Sequence, residues 1–135
     1  MDLEKSLAIS ASGMQAQTTR LTTIAQNLAN QDSTGSTPGA NPYQRKTVSF
    51  ADKMDRALGV ELVGVRAIGT DHAAFPLRYD PANPAADAQG YVKRPNVNAL
   101  VELADMREAE RSYQANLSVM QTTRGMLTRA IGMLR

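Results

Sequence analysis

The chain has 135 residues, enough for one domain, and it contains no cysteine, no tryptophan, two phenylalanines and four tyrosines. The absence of cysteine excludes disulfides, thiolate metal sites and cysteine nucleophiles. Fifteen Lys and Arg against thirteen Asp and Glu leave a formal net charge of +2. The cations form no run of the kind that neutralises a phosphate backbone, so nucleic-acid binding is not expected.

Neither a membrane span nor a cleaved export signal is predicted. No apolar run is long enough to cross a bilayer, so we expect no membrane insertion. The start Met-Asp-Leu-Glu-Lys lacks the basic and apolar regions of a secretory signal. We therefore expect a soluble protein that stays inside the cell, unless an export route that reads no cleaved signal carries it out.

The N-terminal segment, residues 1–31, has the period of an amphipathic helix. Residues seven apart on a helix lie on one side of it. The apolar members of this stripe are Leu7, Met14, Leu21 and Leu28, with Leu3 and Ile24 four residues before members of the series. Asp2 is a candidate N-cap, and alanines beside the stripe allow close approach of a second helix. Many Ser and Thr residues weaken its helix propensity, so we expect helix only when the stripe is covered; an ordinary surface helix of a bundle is the alternative.

The middle segment, residues 32–97, is predicted to be irregular with a small β element. Residues 31–40 are Gly-, Ser- and Pro-containing loop, and 43–50 alternate as a short strand. We expect one or two helical turns over 51–58 and a second strand over 59–68. Four prolines then make 69–95 an extended or turn-like connection.

The C-terminal segment, residues 98–135, predicts the longest element, a helix of roughly 55 Å. Its apolar residues recur every seven as Met106, Tyr113, Met120, Leu127 and Leu134, with Leu103, Leu117 and Ile131 three residues before members of that series. Asn96 and Asn98 are candidates to cap its first turn. So long a stripe needs a cover, and the N-terminal helix is the internal partner.

The predicted fold class is therefore mainly α with a small β element (α+β). Two long antiparallel terminal helices form a coiled coil, and the irregular, β-containing middle joins them in a single structural unit. The helix-pairing and assembly interface is predicted at Leu7, Met14, Leu21, Ile24, Leu28, Leu103, Met106, Tyr113, Leu117, Met120, Leu127, Ile131 and Leu134.

No arrangement of side chains supports catalysis or a cofactor. A nucleophile needs an activating base, and the only histidine, His72, lies in the predicted connection. Asp71, Asp80 and Asp87 have a spacing that fits no EF-hand-like loop. We therefore expect neither an enzyme nor a metal or cofactor site.

Both terminal segments resemble the signatures of the bacterial flagellar axial proteins, which form the rod, the hook and the hook–filament junction. The run from Ile24 to Asn30, followed by Thr34-Gly35, is similar to their N-terminal signature. The run from Pro95 to Asn98, continuing to Met126-Leu127, resembles their C-terminal signature. Residues 42–50 and 79–93 narrow the resemblance to the proximal-rod proteins. The motif residues are Gln26, Asn27, Asn30, Thr34, Gly35, Asn96, Asn98, Arg111 and Asn116.

The resemblance implies a structural subunit of the flagellar rod, the drive shaft that crosses the periplasm. Its partners would be copies of itself, other rod proteins both proximal and distal, and adjacent basal-body components. Such proteins leave the cell through the flagellar type III export apparatus without a cleaved signal, and they assemble helically for motility. The alternative is a small helical coiled-coil adaptor or export chaperone that folds by itself.

Overall fold

The structure, a computed structural model, describes residues 3–134. In chain order its regular elements are α1 (Leu3–Ala29), β1 (Lys46–Asp55), β2 (Val60–Thr70), β3 (Leu77–Tyr79), β4 (Tyr91–Lys93) and α2 (Ala99–Gly132). The two long helices pack against each other, and the strands form two small antiparallel sheets, β1-β2 and β3-β4. The predicted fold class is confirmed.

The start of α2 is capped as one of the two candidate residues predicts. The Asn98 side-chain oxygen accepts hydrogen bonds from the backbone N–H groups of Leu100 at 3.0 Å and Val101 at 3.4 Å, which is the geometry of an N-cap. The capping role predicted for Asn96 is wrong, because its oxygen accepts the backbone N–H of Arg45 at 2.8 Å instead. The predicted cap at Asp2 of α1 lies outside the described residues.

The expected helical turns over residues 51–58 are wrong, because β1 continues to Asp55. The chain then reverses, with the Asp55 side chain accepting the backbone N–H groups of Ala57 and Leu58. The Gly59 N–H closes the turn on the Asp55 carbonyl at 2.8 Å, and Gly59 has a φ of 64°. Local hydrogen bonds to an aspartate thus use the N–H groups that a helix would need. The second strand, predicted over 59–68, is observed as β2.

The second sheet gives order to the proline-containing connection. Tyr79 pairs with Tyr91 across β3 and β4. Their rings meet edge to face with centroids 5.4 Å apart, an arrangement that aromatic pairs favour. Val92 of β4 is 1% exposed, so the short sheet is anchored by burial of one strand residue.

The chain divides into two compact units. One comprises the chain up to Leu21, Val48–Ala67 and the chain from Met106 onwards. The other comprises Thr22–Thr47 and Ile68–Asp105. We call them the first and the second unit and describe the side-chain contacts of each separately.

Candidate functional site

In the first unit the two helices meet through short side chains and one ion pair. The hydroxyl oxygens of Ser6 and Thr123 lie 3.4 Å apart. Arg20 donates from Nη2 to Glu108 Oε2 at 3.2 Å. Between these contacts a Cβ atom at Gly13 would lie 2.9 Å from Nδ2 of Asn116. The contacts run in opposite directions along α1 and α2, as an antiparallel pair requires.

The most buried residues of the two helices are mainly small or polar. They are Ser10, Ala16, Thr23, Ile24 and Asn27 on α1, and Glu102, Ala109 and Thr123 on α2. Ile24 is the only large apolar side chain in this set. Small side chains allow the helix backbones to come close. The most buried part of each helix face, which we call its centre, therefore carries small residues rather than the bulkiest ones.

The large apolar residues of the predicted interface flank this centre or lie outside it. Half-buried positions are Leu7, Met14, Leu21, Leu28, Met106, Tyr113, Leu117 and Met120. Exposed positions are Leu103, Leu127, Ile131 and Leu134. Since Ser6 lies opposite Thr123, the residues after Met126 have few residues of α1 left to pair with. Eight members of the predicted set are thus half-buried, whereas Leu103 near the start of α2 and three members at its end are exposed.

In the second unit a buried polar cluster joins the end of α1, the start of β1 and the first turn of α2. Its members are the buried Asn27 and Glu102 and the half-buried Tyr43, Arg45, Asp71, Asn96 and Asp105. Asn27, which is 1% exposed, satisfies both ends of its amide. Its nitrogen donates to the Lys46 carbonyl at 2.9 Å and to Glu102 Oε2 at 3.1 Å. Its oxygen accepts the Tyr43 hydroxyl and the Lys46 backbone N–H, both at 2.9 Å.

Glu102 provides the charge at the centre of the buried polar cluster. It is 0% exposed, and Arg45 Nε donates to its second carboxylate oxygen. The Arg45 guanidinium also lies 3.5 Å from carboxylate oxygens of both Asp71 and Asp105. A fully buried carboxylate is tolerated because a cation and an amide donor satisfy it.

The environment within the buried polar cluster shifts the pKa values of two of its members, Arg45 and Tyr43. Burial alone would lower the pKa of Arg45, but the hydrogen bond to Glu102 and the surrounding carboxylates raise it above its ordinary value. Burial raises the pKa of Tyr43, and the negative charge of Glu102 raises it further. The cluster therefore holds a permanent cation and a protonated phenol.

Asn96 ties the approach to α2 into the same cluster. Its nitrogen donates to the carbonyl oxygens of Asp71 at 3.0 Å and Ala73 at 3.2 Å. The Asp71 backbone N–H donates to the Arg45 carbonyl at 2.8 Å. The end of the β1-β2 hairpin is thereby held beside the segment that leads into α2.

Four further motif residues, Gln26, Asn30, Thr34 and Gly35, lie at the end of α1 and in the turn that follows it. Asn30 donates to the Gln26 carbonyl at 2.8 Å, and its own oxygen accepts the Ser33 hydroxyl at 3.1 Å. Thr34 and Gly35 are half-buried, and a Cβ on Gly35 would lie 2.5 Å from that of Ala40. Gln26 accepts from Lys46 Nζ at 3.2 Å.

Two motif residues lie on α2 outside the buried polar cluster. Arg111 is exposed, whereas Asn116 is half-buried and donates to the Ser112 carbonyl at 3.1 Å. The sequence analysis selected Asn27 and Asn96 but missed Tyr43, Arg45 and Glu102 as members of one cluster. The available signal was Glu102 itself, a carboxylate between the apolar residues Val101 and Leu103.

Large apolar side chains remain exposed on two surfaces of the first unit. The first, which we call the α2 end surface, comprises Val119, Met126, Leu127, Ile131, Met133 and Leu134. The β1-β2 hairpin exposes Phe50, Met54, Val63 and Val65. Several large apolar side chains exposed on one element are typical of an interaction surface. Within residues 3–134, neither helix has an apolar stretch that would carry it across a bilayer.

A buried polar scaffold combined with exposed apolar helix surface is typical of a structural protein that has an interaction surface. The C-terminal residues 88–133 match the family model described as flagellar basal body rod FlgEFG protein C-terminal. The chain is 53% identical to the flagellar basal-body rod protein FlgC of Agrobacterium fabrum (strain C58), over 94% of this chain and 91% of that protein.

Two further relatives carry the same name. Identity is 42% with FlgC of Salmonella typhimurium (strain LT2), over 91% of each chain. It is 38% with FlgC of Bacillus subtilis (strain 168), over 93% of this chain and 94% of that one. The chain belongs to the FlgC family of flagellar basal-body rod proteins, which are structural proteins and not enzymes. The predicted resemblance is confirmed, and the alternative of an adaptor or export chaperone is not supported.

Proposed function

We propose that this rod protein assembles helically with copies of itself and with other rod proteins, proximal and distal, through the α2 end surface and the β1-β2 hairpin. The observation that carries the proposal is the exposure of large apolar side chains at the end of α2. Ile131 is 55% exposed and Leu134 is 88% exposed. Full burial of one such side chain contributes roughly 1.5–3 kcal/mol, so a neighbour that covers several of them gains a stable contact.

The charge pattern of α2 supports protein partners for this surface. The sequence from Arg111 to the end of the chain contains Arg111, Arg124, Arg129 and Arg135 and no Asp or Glu. Before Arg111, Glu102 is fully buried, and the exposed charged residues are Arg107, Glu108 and Glu110. A helix that is acidic near its start and basic near its end can contact a neighbouring subunit with opposite charges facing each other.

The same proposal includes delivery by the flagellar type III export apparatus and contact with adjacent basal-body components. The first helix contains many Ser and Thr residues, which lowers its intrinsic helix propensity. A chain whose helices depend on packing for stability is suited to travel unfolded and to fold where its neighbours cover it.

The test is incorporation into rods in a strain whose own copy has been deleted. Ile131→Asp places a charge on the exposed α2 end surface, and Leu117→Asp places one at a half-buried position beside the helix pair. Both variants are expected to abolish motility and to be absent from purified basal bodies. Gln114→Asp, at an exposed polar position of the same helix, is the matched control and should assemble normally. Normal rods containing the Ile131→Asp protein would overturn the role of the α2 end surface.

A further inference from the structure

The apolar periodicities of the two helices leave their register undetermined. Both α1 and α2 carry large apolar residues at intervals of seven, so sliding one helix past the other by seven residues, roughly 10 Å, restores the same apolar pairing. An interaction that does not repeat every seven residues must therefore select one alignment.

The contact between Asn27 and Glu102 does not repeat. A slide of α2 by one heptad in one direction would place Ala109 opposite Asn27. A slide in the other direction would place Pro95, which precedes α2, opposite Asn27. Neither residue has an acceptor on its side chain for the Asn27 amide. Glu102 would move away from both Asn27 and Arg45 and would lose both of these hydrogen-bond donors.

The buried polar cluster also holds Asn27 and Arg45 in place independently of α2. Asn27 is bonded to the Lys46 backbone through both its nitrogen and its oxygen. Arg45 is held through its backbone carbonyl, which accepts the Asp71 backbone N–H at 2.8 Å. These contacts present two donors, the Asn27 amide and the Arg45 guanidinium, at one fixed level along the helix pair. Glu102, with one carboxylate oxygen bonded to each donor, is the residue of α2 that fits them.

We propose that Asn27, Arg45 and Glu102 set the register of α1 against α2, and are positioning residues for the terminal helix pair. Their buried polar contacts distinguish the observed alignment from the heptad-shifted ones that apolar packing alone allows. The register decides how many residues of α2 extend past the start of α1. It therefore decides whether Leu127 and Ile131 are available as an assembly surface.

The register can be read by disulfide trapping in the full-length chain, which has no cysteine of its own. Ser6→Cys with Thr123→Cys reports the observed alignment, because the two hydroxyls lie 3.4 Å apart. Ser6→Cys with Ala130→Cys reports a shift of one heptad, and Ser6→Cys with Asn116→Cys reports the opposite shift. In the parent chain the first pair is expected to cross-link and the other two are not; failure of the first pair to cross-link overturns the proposal.

The decisive comparison replaces the polar contact with apolar side chains. In Asn27→Leu/Glu102→Leu, we compare the yield of the cysteine pairs that report a shifted alignment with the yield of the pair that reports the observed one. This ratio is expected to rise about tenfold or more above its value in the parent chain. The matched control is Arg20→Met/Glu108→Met, which removes a cross-helix ion pair whose Glu108 side chain is 68% exposed, and it should leave the ratio at the parent value.

A second variant keeps the test decisive if the double leucine variant loses its helical circular dichroism and none of the pairs cross-links. Glu102→Gln keeps the size of the side chain and removes the charge, and it is expected to give a smaller but measurable shifted fraction. If the shifted fraction stays at the parent value in the folded variants, the register is set elsewhere and the proposal is wrong. The cross-link ratio is measured on the isolated chain and does not depend on assembly. It would therefore still report the register if the proposed assembly surface proved wrong.

Discussion

Gly13 of α1 and Asn116 of α2 are in such close contact that a Cβ atom on residue 13 would lie 2.9 Å from the Asn116 side-chain nitrogen. The contact lies between the Ser6–Thr123 and Arg20–Glu108 contacts of the same unit. A glycine within a helix costs about 1 kcal/mol relative to alanine. At position 13 the glycine also allows the two helices to approach closely, which a larger residue would hinder.

We therefore expect Gly13→Ala to have different consequences in two backgrounds. In the parent chain the gain in helix propensity is offset because the Asn116 side chain must move, so the unfolding free energy changes by less than about 0.5 kcal/mol. In an Asn116→Ala background the same substitution should stabilise by about 1 kcal/mol. Urea unfolding of the parent, the two single variants and the double variant measures the difference. If Gly13→Ala changes the unfolding free energy equally in both backgrounds, the contact with Asn116 carries no strain.

The ion pair between Arg45 and Glu102 should be far more sensitive than the exposed pair on the same helices. Arg45→Met leaves a fully buried carboxylate without its cation, and we expect the unfolding free energy to fall by about 3–5 kcal/mol. Arg20→Met, which removes the partner of the largely exposed Glu108, should cost less than about 1 kcal/mol. Chemical denaturation compares the two, and similar losses would contradict the importance assigned to the buried polar cluster.

Tyr43 should titrate above its ordinary value of 10.0, because burial and then the Glu102 charge raise its pKa. The folded state thus holds this proton more tightly than the unfolded chain does. The resulting stabilisation is complete below about pH 10, the pKa of the unfolded chain, and is lost as the pH rises through the pKa of the folded state.

Glu102→Gln separates the two causes of the Tyr43 shift. Removal of the charge is expected to lower the pKa of Tyr43 part of the way towards its ordinary value, since the burial remains. The ring carbon resonance of Tyr43, followed by NMR across alkaline pH, gives the pKa in both proteins. An unchanged pKa in the variant would exclude Glu102 as a contributor.

Two glycines with positive φ offer a matched test of crowding. A Cβ on Gly59, with φ 64°, would meet no atom within 4 Å, whereas a Cβ on Gly90, with φ 86°, would lie 2.8 Å from the Tyr79 ring. Gly59→Ala should cost about 1–2 kcal/mol for its backbone conformation alone. Gly90→Ala should cost about 1–3 kcal/mol more, because the ring packed on Tyr91 must also move. Thermal unfolding compares them, and equal losses would mean that the Tyr79 ring yields freely.

The local sequence was sufficient to predict the two helices and the second strand, and it narrowed the cap of α2 to Asn96 or Asn98. Each of these is determined by residues close together in the chain: a seven-residue apolar repeat, an amide before the first helical turn, and a β-branched run. Residues 51–55 were mispredicted as helical because the turn at Asp55 depends on side-chain hydrogen bonds that a periodicity does not report. The family was also accessible from sequence, since its signatures lie in continuous runs at the two ends.

Which face of each helix is covered was decided by tertiary structure alone. A periodic apolar stripe predicts that a helix is amphipathic, but the small residue Ala109 is fully buried and Gly13 lies in close contact with Asn116. Leu127 and Ile131 continue the stripe and yet remain exposed, because they lie past the level at which Ser6 of α1 faces Thr123 of α2. The buried polar cluster was equally inaccessible, because Asn27, Arg45 and Glu102 are far apart in the chain and become partners only when the fold buries Asn27 and Glu102 beside the half-buried Arg45. Local pattern determines which elements form, whereas desolvation and close contact between distant residues determine how they fit.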